Sequence, residues 1–541
     1  MRRDVLALIV GWTLLALCLP LFIVLLATIF LDDWLLALKA FLPSLLISGA
    51  CGGLLLRGWV RSDTPERLRD KEAFAAVALC WPAVVAIGAL PYWFSDVFIG
   101  PFTTDAQFID IIRGAINSWF ESMSGFTTTG ATVIDPSMSP TCMVAGGVPD
   151  CINAQPRGLL LWRSLTQWLG GMGIIMLGML LLARILGGGM SLARAELTGP
   201  SLSRLRPRLK ETALVLWATY AGLTILEMVL LFTIGEMSIF DALNHGLTTL
   251  PSGGFSTRDA SISYYDSLAV ESIIIVFMFL AGVNFSLLYF LTQRNWSKVF
   301  DDEEFKWYVV IIFLSMLACA LVLSLNEGMS NARAVRDSLF HVISIGTSTG
   351  YAAADYGSWP VFTHILLFFL MVVGACAGST AGGLKILRMN LSLKIAGREL
   401  ERIATPKQVK NVRMNGQVIE SDKLALIIGM LIVWVGLFIF STLLLAVSMT
   451  GSDFETIVSV VAASLGNTGP ALGNYGPTQT WASMSTTSLL WTSVLMWFGR
   501  LELLTALILI HPRTWRGEEK SEEKLTRRAM KAFKELFQKE D

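Results

Sequence analysis

Four short turns rich in Gly, Thr and Ser recur along the chain, and their oxygen atoms could replace the water around a dehydrated alkali cation such as K⁺. They read TTTGATV (127–133), PSGGFST (251–257), TSTGYAA (347–353) and GNTGPAL (466–472). Backbone carbonyls bind such an ion without fixed charge, so the ion can also leave. The central glycine of each turn can adopt the positive φ that directs successive carbonyls toward one axis.

The context of the four turns is the same in each case, which gives weight to a pattern that would be weak in isolation. Each turn follows a short, half-apolar segment and precedes a full apolar run. The short segments are 108–126, 238–251, 331–346 and 453–465. They are too short to cross a bilayer, so we expect re-entrant helices buried in protein or lining a watery cavity. Their C-terminal ends, the negative poles of the helix dipoles, would point at the centre.

The composition of the whole chain is that of a membrane protein. Of 541 residues, 54% are hydrophobic and 16% charged, whereas soluble domains carry roughly 45–50% and about 25%. The net charge is zero, and nothing indicates nucleic-acid binding. A helix needs about 20 apolar residues to cross the hydrocarbon core. Ten runs qualify: 5–31, 34–56, 73–95, 158–183, 212–235, 267–292, 307–325, 359–383, 424–448 and 485–510.

The distribution of basic residues predicts that both termini lie in the cytoplasm. If the N-terminus is inside and the ten spans alternate, the inside segments hold 34 of the 42 Lys and Arg residues. Cytoplasmic loops are expected to carry this excess. The run 5–31 is too long for a signal peptide and is interpreted as a retained span. The domain prediction is a hairpin (1–72), repeats at 73–211, 212–305, 306–423 and 424–511, and a charged cytoplasmic tail (512–541).

A glycine-rich stretch at the inner end of run 359–383 is a second candidate site. GACAGSTAGG (374–383) makes a poor helix, because each internal glycine costs about 1 kcal/mol relative to Ala. It is either a seam of small residues for helix packing or a flexible intramembrane loop that gates the path below the third turn. The candidate gate residues are Gly374, Gly378, Ser379, Thr380, Gly382 and Gly383, with Lys385 at the cytoplasmic exit.

Arg500 lies deep in the last apolar run, and a charge inside a membrane is a functional hypothesis by default because it costs at least about 2.5–3.5 kcal/mol. It could snorkel to the inner surface or pair with Glu502, although positions two apart on a helix do not face each other. We favour a side chain that faces the conduction axis, contacts the gate segment and limits cation flux.

Other polar residues in the apolar segments have simpler interpretations. Arg163 and Glu227 are expected to form structural pairs between helices, and His245 and His341 to be hydrogen-bonded packing residues. Glu121 and Asp337 could attract cations at the outer mouth, but Asp337 could instead pair with Arg333 at i,i+4. Cys142 and Cys151, in an outside loop, could form a disulfide or remain two free thiols.

Three segments together resemble a known family. ESMSGFTTTGATVID (121–135), GACAGSTAGGLKILR (374–388) and MWFGRLELL (496–504) are similar to the bacterial Trk/Ktr and plant HKT cation transporter superfamily. The extra hairpin at 5–56 resembles the TrkH/TrkG branch, the membrane subunit of the Trk potassium uptake system. The resemblance implies an all-α polytopic membrane protein, with the hairpin and four repeats of span, pore helix and span in pseudo-fourfold order around a central pore.

The resemblance also implies the function. We expect K⁺ uptake across the bacterial inner membrane, with Rb⁺ and Na⁺ as possible further ions, by a homodimer controlled by a TrkA-type cytoplasmic subunit that binds NAD(H) or ATP. Gly130 favours K⁺, whereas Gly253 and Pro470 depart from the pattern and predict a looser filter. The filter residues are Thr128, Thr129, Gly130, Ser252, Gly253, Gly254, Ser348, Thr349, Gly350, Asn467, Thr468 and Gly469.

Two other classes fit less well. A secondary transporter of inverted repeats would have carboxylates at the midplane, but these repeats share one orientation and such carboxylates are nearly absent. An enzyme would need a catalytic set, and no Ser/His/Asp group, metal cluster or phosphate loop is evident at membrane depth. We expect no transition metal and no organic cofactor in this chain. Whether flux is channel-like or coupled to H⁺ or Na⁺ stays open.

Overall fold

The structure, a computed structural model, describes residues 3–32, 34–57, 70–104, 106–144, 150–173, 209–326, 329–405, 411–501, 505, 509 and 511–515. The predicted inner half of span 158–183, the cytoplasmic segment before Leu209, Glu502 and the tail from residue 516 lie outside this part of the chain. Within it the fold is helical, apart from one antiparallel pair of two-residue strands, Arg413–Met414 and Gln417–Val418.

An N-terminal hairpin precedes the repeats. Its helices are Arg3–Leu31 and Leu42–Arg57, joined through Trp34–Leu36 and a π-helical turn at Ala37–Phe41. The two helices pack closely because small residues meet: a Cβ on Gly52 would lie 3.0 Å from the carbonyl oxygen of Gly11. The first hairpin helix also packs on the first and second helices of repeat 1, so the hairpin braces that repeat from outside.

The four repeats each contain a first helix, a pore helix and a second helix. The first helices are Asp70–Phe94, Leu209–Thr233, Glu303–Asn326 and Ser421–Ser448. The pore helices are Phe108–Phe126, Ile239–Thr249, Asn331–Gly346 and Phe454–Gly466. The second helices are Arg157–Gly171, Leu268–Ala281, Val361–Val373 and Thr486–Arg500.

The packing of the pore helices closes the repeats into a ring. Every pore helix packs against the first helix of its own repeat and against the second helix of the preceding repeat. Pore helix 1 completes the cycle, because it packs against the second helix of repeat 4. The predicted all-α, pseudo-fourfold architecture around a central axis is therefore confirmed.

Among the described residues, six helices are long and apolar enough to span a membrane, or seven if a bent pair counts as one span. The bent pair is Leu268–Ala281 with Phe285–Thr292, and its two helices differ in direction by 110°. The run 267–292, predicted as one span, is therefore divided into two helices. The break has a local cause: the Asn284 side chain accepts a hydrogen bond from the Ser286 N–H at 2.8 Å and starts a new helix.

Shorter elements complete the chain. The helix Ile386–Ala404 and the strand pair follow the glycine-rich segment and lead to the first helix of repeat 4. The remaining short helices are Pro140–Val144, Ser261–Tyr265, Trp296–Phe300, Tyr356–Ser358, Gly473–Tyr475 and Pro512–Trp515.

Candidate functional site

The four glycine-rich turns meet at the centre of the ring of repeats. We number them turn 1 (127–133), turn 2 (251–257), turn 3 (347–353) and turn 4 (466–472). Each central glycine lies against a carbonyl oxygen of the next turn, so closely that no side chain fits between them. A Cβ would stand 1.9–2.4 Å from that oxygen in the pairs Gly130 with Gly253, Gly254 with Thr349, Gly350 with Thr468, and Gly469 with Thr129. Turn 1 contacts turn 2, turn 2 contacts turn 3, turn 3 contacts turn 4, and turn 4 contacts turn 1, so the contacts form a closed cycle.

The backbone of the four turns is also the same. The residue before each central glycine donates its N–H to the carbonyl five positions earlier, at 2.8–3.0 Å; the donors are Thr129, Gly253, Thr349 and Thr468. Positive φ occurs at each central glycine and two residues before it, at Thr128, Ser252, Ser348 and Asn467. For non-glycine residues this conformation is costly and marks a functional constraint where it recurs. Four dissimilar sequences thus adopt one conformation.

The two departures noted in the sequence are packed into the ring rather than left open. A Cβ on Gly253 would stand 2.4 Å from the Gln167 side chain. That amide donates to the carbonyl oxygen of Gly253 at 2.7 Å and accepts from the N–H of Phe255 at 3.1 Å. The ring of Pro470 lies beside Gly350 of the neighbouring turn. Sequence reasoning missed the role of Gln167. Nothing near Gly253 in the chain indicates that the space beside this glycine is occupied by the side-chain amide of a distant residue.

Side-chain hydrogen bonds join neighbouring turns, and they differ from one interface to the next. Asn467 Nδ2 donates to Thr129 Oγ1 at 3.0 Å and links turn 4 to turn 1. The Tyr351 hydroxyl lies 2.6 Å from Thr248 Oγ1 and links turn 3 to the end of pore helix 2. All of these side chains are buried, so the turns are held from behind by protein.

A cavity of about 190 Å³ opens on one side of the turns. Residues of all four turns line it, namely Gly130, Gly254, Gly350 and Pro470, together with the charged side chains of Asp135, Asp259, Arg163 and Arg258. Its wall is thus partly polar and partly charged, as an aqueous entrance would be.

The rim of this cavity is tied together across repeats. Cys142 and Cys151 form a disulfide, which decides between the two interpretations of these residues. The Asp259 carboxylate accepts hydrogen bonds from the N–H groups of Cys151 and Ile152 at 2.6 and 2.8 Å. Burial raises the pKa of Asp259, while these two N–H groups oppose the rise. The loop of repeat 1 that carries the disulfide is therefore fastened to the segment that follows turn 2.

The glycine-rich segment lies on the opposite side of the turns. Residues 374–385, which we call the intramembrane loop, are not helical, and positive φ occurs at Gly374, Gly378, Gly383 and Lys385. Thr380 Oγ1 lies 3.0 Å from Ser252 Oγ of turn 2. The Gly382 N–H donates to Ser348 Oγ of turn 3 at 2.6 Å. A Cβ on Gly382 would lie 2.0 Å from the carbonyl oxygen of Gly466 in turn 4. The loop therefore contacts three turns directly.

Arg500 fastens this loop to repeat 1. One guanidinium nitrogen donates to the carbonyl oxygen of Thr380 at 2.7 Å. The other donates to the carbonyls of Gly170 and Gly171 at 2.8 and 2.9 Å, where a cation complements the C-terminal end of a helix. Lys385 is buried and donates to the carbonyl oxygen of Ala381 within the loop. Two cationic side chains thus hold the loop through its carbonyls.

Glu304 binds the loop and the helix that follows it, and sequence reasoning missed this role. Its Oε1 accepts hydrogen bonds from the N–H of Ala377 at 2.6 Å and from the N–H of Leu387 at 3.1 Å. In the sequence it looks like an ordinary acidic residue in the first turn of a helix. Only the fold brings the loop and the start of the helix Ile386–Ala404 to this carboxylate.

The expectations for the other polar residues are mostly confirmed. Arg163 Nε binds Glu121 Oε1 at 2.7 Å, an interhelical pair. Asp337 pairs with Arg333 at 2.8 Å. His245 and His341 are buried and hydrogen-bonded, as described below. Glu227 is different: within the described part of the chain neither of its buried carboxylate oxygens has a partner at hydrogen-bond geometry, so no ion pair is observed there.

The ring of turns thus contacts the cavity through one set of residues and the intramembrane loop through another. Such an arrangement can strip water from an ion, hold the ion in a cage of oxygens and block or release its path. The fold and the site therefore define a polytopic membrane transport protein with a central path for ions.

Comparison with known proteins gives the family. Residues 59–516 match the model of the TrkH family, described as cation transport proteins. The chain is 35% identical over 489 residues to the Trk system potassium uptake protein TrkH of Escherichia coli K12, covering 88% of this chain and 92% of that protein. It is 30% identical over 458 residues to TrkG of the same strain, covering 83% and 87% of the two chains.

A solved structure agrees with these matches. The crystal structure of the potassium transporter TrkH from Vibrio parahaemolyticus superposes with a TM-score of 0.79 at 30% identity, covering 95% of this chain and all of that one. The chain belongs to the TrkH family of cation transport proteins, as the three sequence segments predicted, and it is a multi-pass membrane protein rather than an enzyme.

The glycine contacts lead to a prediction. Gly254→Ala places a methyl group 1.9 Å from the Thr349 carbonyl at a φ of +72°, so the ring must open, and we expect Rb⁺ uptake to fall at least about tenfold. Gly436→Ala, in the first helix of repeat 4 with no atom within 4 Å of the added methyl group, is the matched control and should transport normally. Tracer uptake into proteoliposomes measures both, and wild-type uptake by folded Gly254→Ala would refute the close contact.

Proposed function

We propose that this protein carries potassium into the cell across the bacterial inner membrane, and that the four turns are its selectivity filter. The observation that supports this most directly is the closed cycle of glycine–carbonyl contacts among the turns. The relatives above are named as potassium uptake proteins, which points to the same ion. The basic residues concentrated in the inside segments favour cytoplasmic N- and C-termini.

The filter would work through main-chain oxygens. Residues of positive φ alternate with ordinary ones in each turn, a pattern that allows successive carbonyls to face one side. The pore helices end three to five residues before the central glycines, so their negative poles lie close to the bound cation. The ion exchanges water for carbonyl oxygens without meeting a fixed negative charge, and it can therefore leave as readily as it enters.

The intramembrane loop would be the gate of this path. It lies beneath three turns and is held by Arg500 through Thr380. The guanidinium and the Lys385 ammonium place positive charge below the filter, which raises the energy of a cation leaving toward the cytoplasm. Opening would require the hydrogen bond from Arg500 to Thr380 to break and the loop to move away from Ser252 and Ser348.

Control would come from a cytoplasmic subunit of the TrkA type that binds NAD(H) or ATP, with this chain acting as a homodimer. The cytoplasmic helix Ile386–Ala404 continues directly from the loop. Its Lys394 binds Glu303, and Glu303 also accepts from the Asn415 N–H at 2.9 Å. A partner docked on the basic segment 384–423 would therefore act on the loop through the helix Ile386–Ala404, which follows the loop directly in the chain.

The filter assignment is tested with a single residue. The protein should restore growth at low K⁺ to a bacterium that lacks K⁺ uptake, and purified protein should take up Rb⁺ in preference to Na⁺. Gly130→Ser adds a side chain at a φ of +85°, 2.1 Å from the Gly253 carbonyl, so the cage distorts and Na⁺ uptake relative to Rb⁺ should rise about fivefold or more. An unchanged ratio in folded Gly130→Ser protein would rule out turn 1 as part of the filter.

The gate assignment makes a separate prediction. Arg500→Gln removes the charge below the filter and weakens the hydrogen bond to Thr380, so Rb⁺ flux without any regulatory subunit should rise about tenfold. Arg333→Gln removes an arginine from the outer end of pore helix 3, where it is half exposed and pairs with Asp337, and should leave flux unchanged. Equal flux in wild type and Arg500→Gln proteoliposomes would remove Arg500 from the gate.

A further inference from the structure

One position on the pore helices carries side chains whose common role appears only in the folded protein. Nine residues before the central glycine of each turn stand Glu121, His245, His341 and Val460. All four side chains are fully buried. Three are ionisable and one is apolar, so the sequence gives no sign that they are equivalent.

Each of the three polar side chains forms a hydrogen bond with a residue two or three positions after the central glycine of its own turn. Glu121 accepts hydrogen bonds from Thr132 Oγ1 at 3.0 Å and from the Val133 N–H at 3.1 Å. His245 Nε2 lies 3.1 Å from Ser256 Oγ, and Ser256 is the counterpart of Thr132. His341 Nε2 accepts from the N–H of Ala353, the counterpart of Val133, at 3.3 Å.

Repeat 4 forms the equivalent hydrogen bond from the residue that precedes Val460. Val460 cannot form a hydrogen bond, but Ser459 Oγ accepts from the N–H of Leu472 at 3.0 Å. Leu472 is the counterpart of Val133 in turn 1. Each pore helix therefore braces the outer end of its own turn, and the chemical group that does so differs between repeats.

The brace of repeat 1 is distinct because it extends to the neighbouring turn. Glu121 is paired with Arg163 at 2.7 Å, and both side chains are buried. Arg163 Nη1 donates to the carbonyl oxygen of Ser256 at 2.9 Å. Its guanidinium also lies 3.5 Å from the centre of the Phe255 ring. One buried ion pair thus joins residues 132 and 133 of turn 1 to residues 255 and 256 of turn 2.

We propose that the Glu121–Arg163 pair is a specificity-determining positioning unit that fixes the spacing between turns 1 and 2. The inference rests on the proposed role of the turns as a filter. A cage that prefers a larger cation must resist contraction around a smaller one, and a bonded brace supplies that resistance. Attraction of cations is not the role of Glu121, because its carboxylate is neutralised by Arg163 and bonded to Thr132 and Val133.

Two substitutions weaken the brace in different ways. Glu121→Gln removes the charge that pairs with Arg163. Thr132→Val removes the hydroxyl that donates to Glu121 and accepts from the Ile134 N–H at 3.2 Å, keeps a side chain of similar shape and leaves the ion pair intact. We expect the Rb⁺/Na⁺ uptake ratio in proteoliposomes to fall about threefold or more in each, mainly through increased Na⁺ uptake. Asp337→Asn is the matched control: it removes a pore-helix carboxylate paired with Arg333 at 2.8 Å and should leave the ratio unchanged.

The outcomes separate this inference from the proposed function. An unchanged ratio in Thr132→Val and in folded Glu121→Gln overturns it, and so does an equal loss of Rb⁺ and Na⁺ uptake, which would indicate cation attraction. If Glu121→Gln does not fold, because it leaves Arg163 as an unpaired buried charge, Thr132→Val alone decides. If Gly130→Ser changes the ratio and both brace variants do not, only the positioning role fails. If Gly130→Ser also has no effect, the filter itself fails.

Discussion

The contact between each central glycine and a carbonyl oxygen of the next turn is the constraint on which the rest of the molecule depends. Because the four contacts form a cycle, no turn can move without displacing its neighbours. The pore helices must then end at equivalent places, and each must pack on the second helix of the preceding repeat. The hairpin and the Cys142–Cys151 disulfide support this arrangement from the periphery, where they fasten repeat 1 and the loop before its second helix.

The loop beneath the turns is not an independent plug, because it shares hydrogen bonds with the residues that shape them. Ser252 and Ser348 have positive φ in turns 2 and 3, and the same two hydroxyls contact Thr380 and Gly382 of the loop. The equivalent residue of turn 4, Asn467, instead bonds Thr129 and the Met496 carbonyl. Movement of the loop would therefore reach the turns unequally, and mainly through repeats 2 and 3.

A structural feature of this protein could be predicted from the sequence where the residues that cause it lie close together in the chain. The turns, the short helices before them and the glycine-rich segment were recognisable because composition and order within about 20 residues determine them. The break in span 267–292 was missed because the capping side chain of Asn284 overrides a continuous apolar run. The roles of Gln167 and Glu304 depend on contacts with residues more than 70 positions away, and no pattern along the chain encodes those partners.

The dissimilarity of the four turns has a structural explanation in a single chain. In a ring of identical subunits every interface must use the same bond. Here Arg163 and Gln167 join the second helix of repeat 1 to turn 2, Tyr351 joins turn 3 to repeat 2, and Asn467 joins turn 4 to turn 1. Since each interface has its own chemistry, Gly253 and Pro470 can be accommodated at one place without a matching change at the others. The backbone conformation is what the repeats must share, and the side chains that maintain it are free to differ.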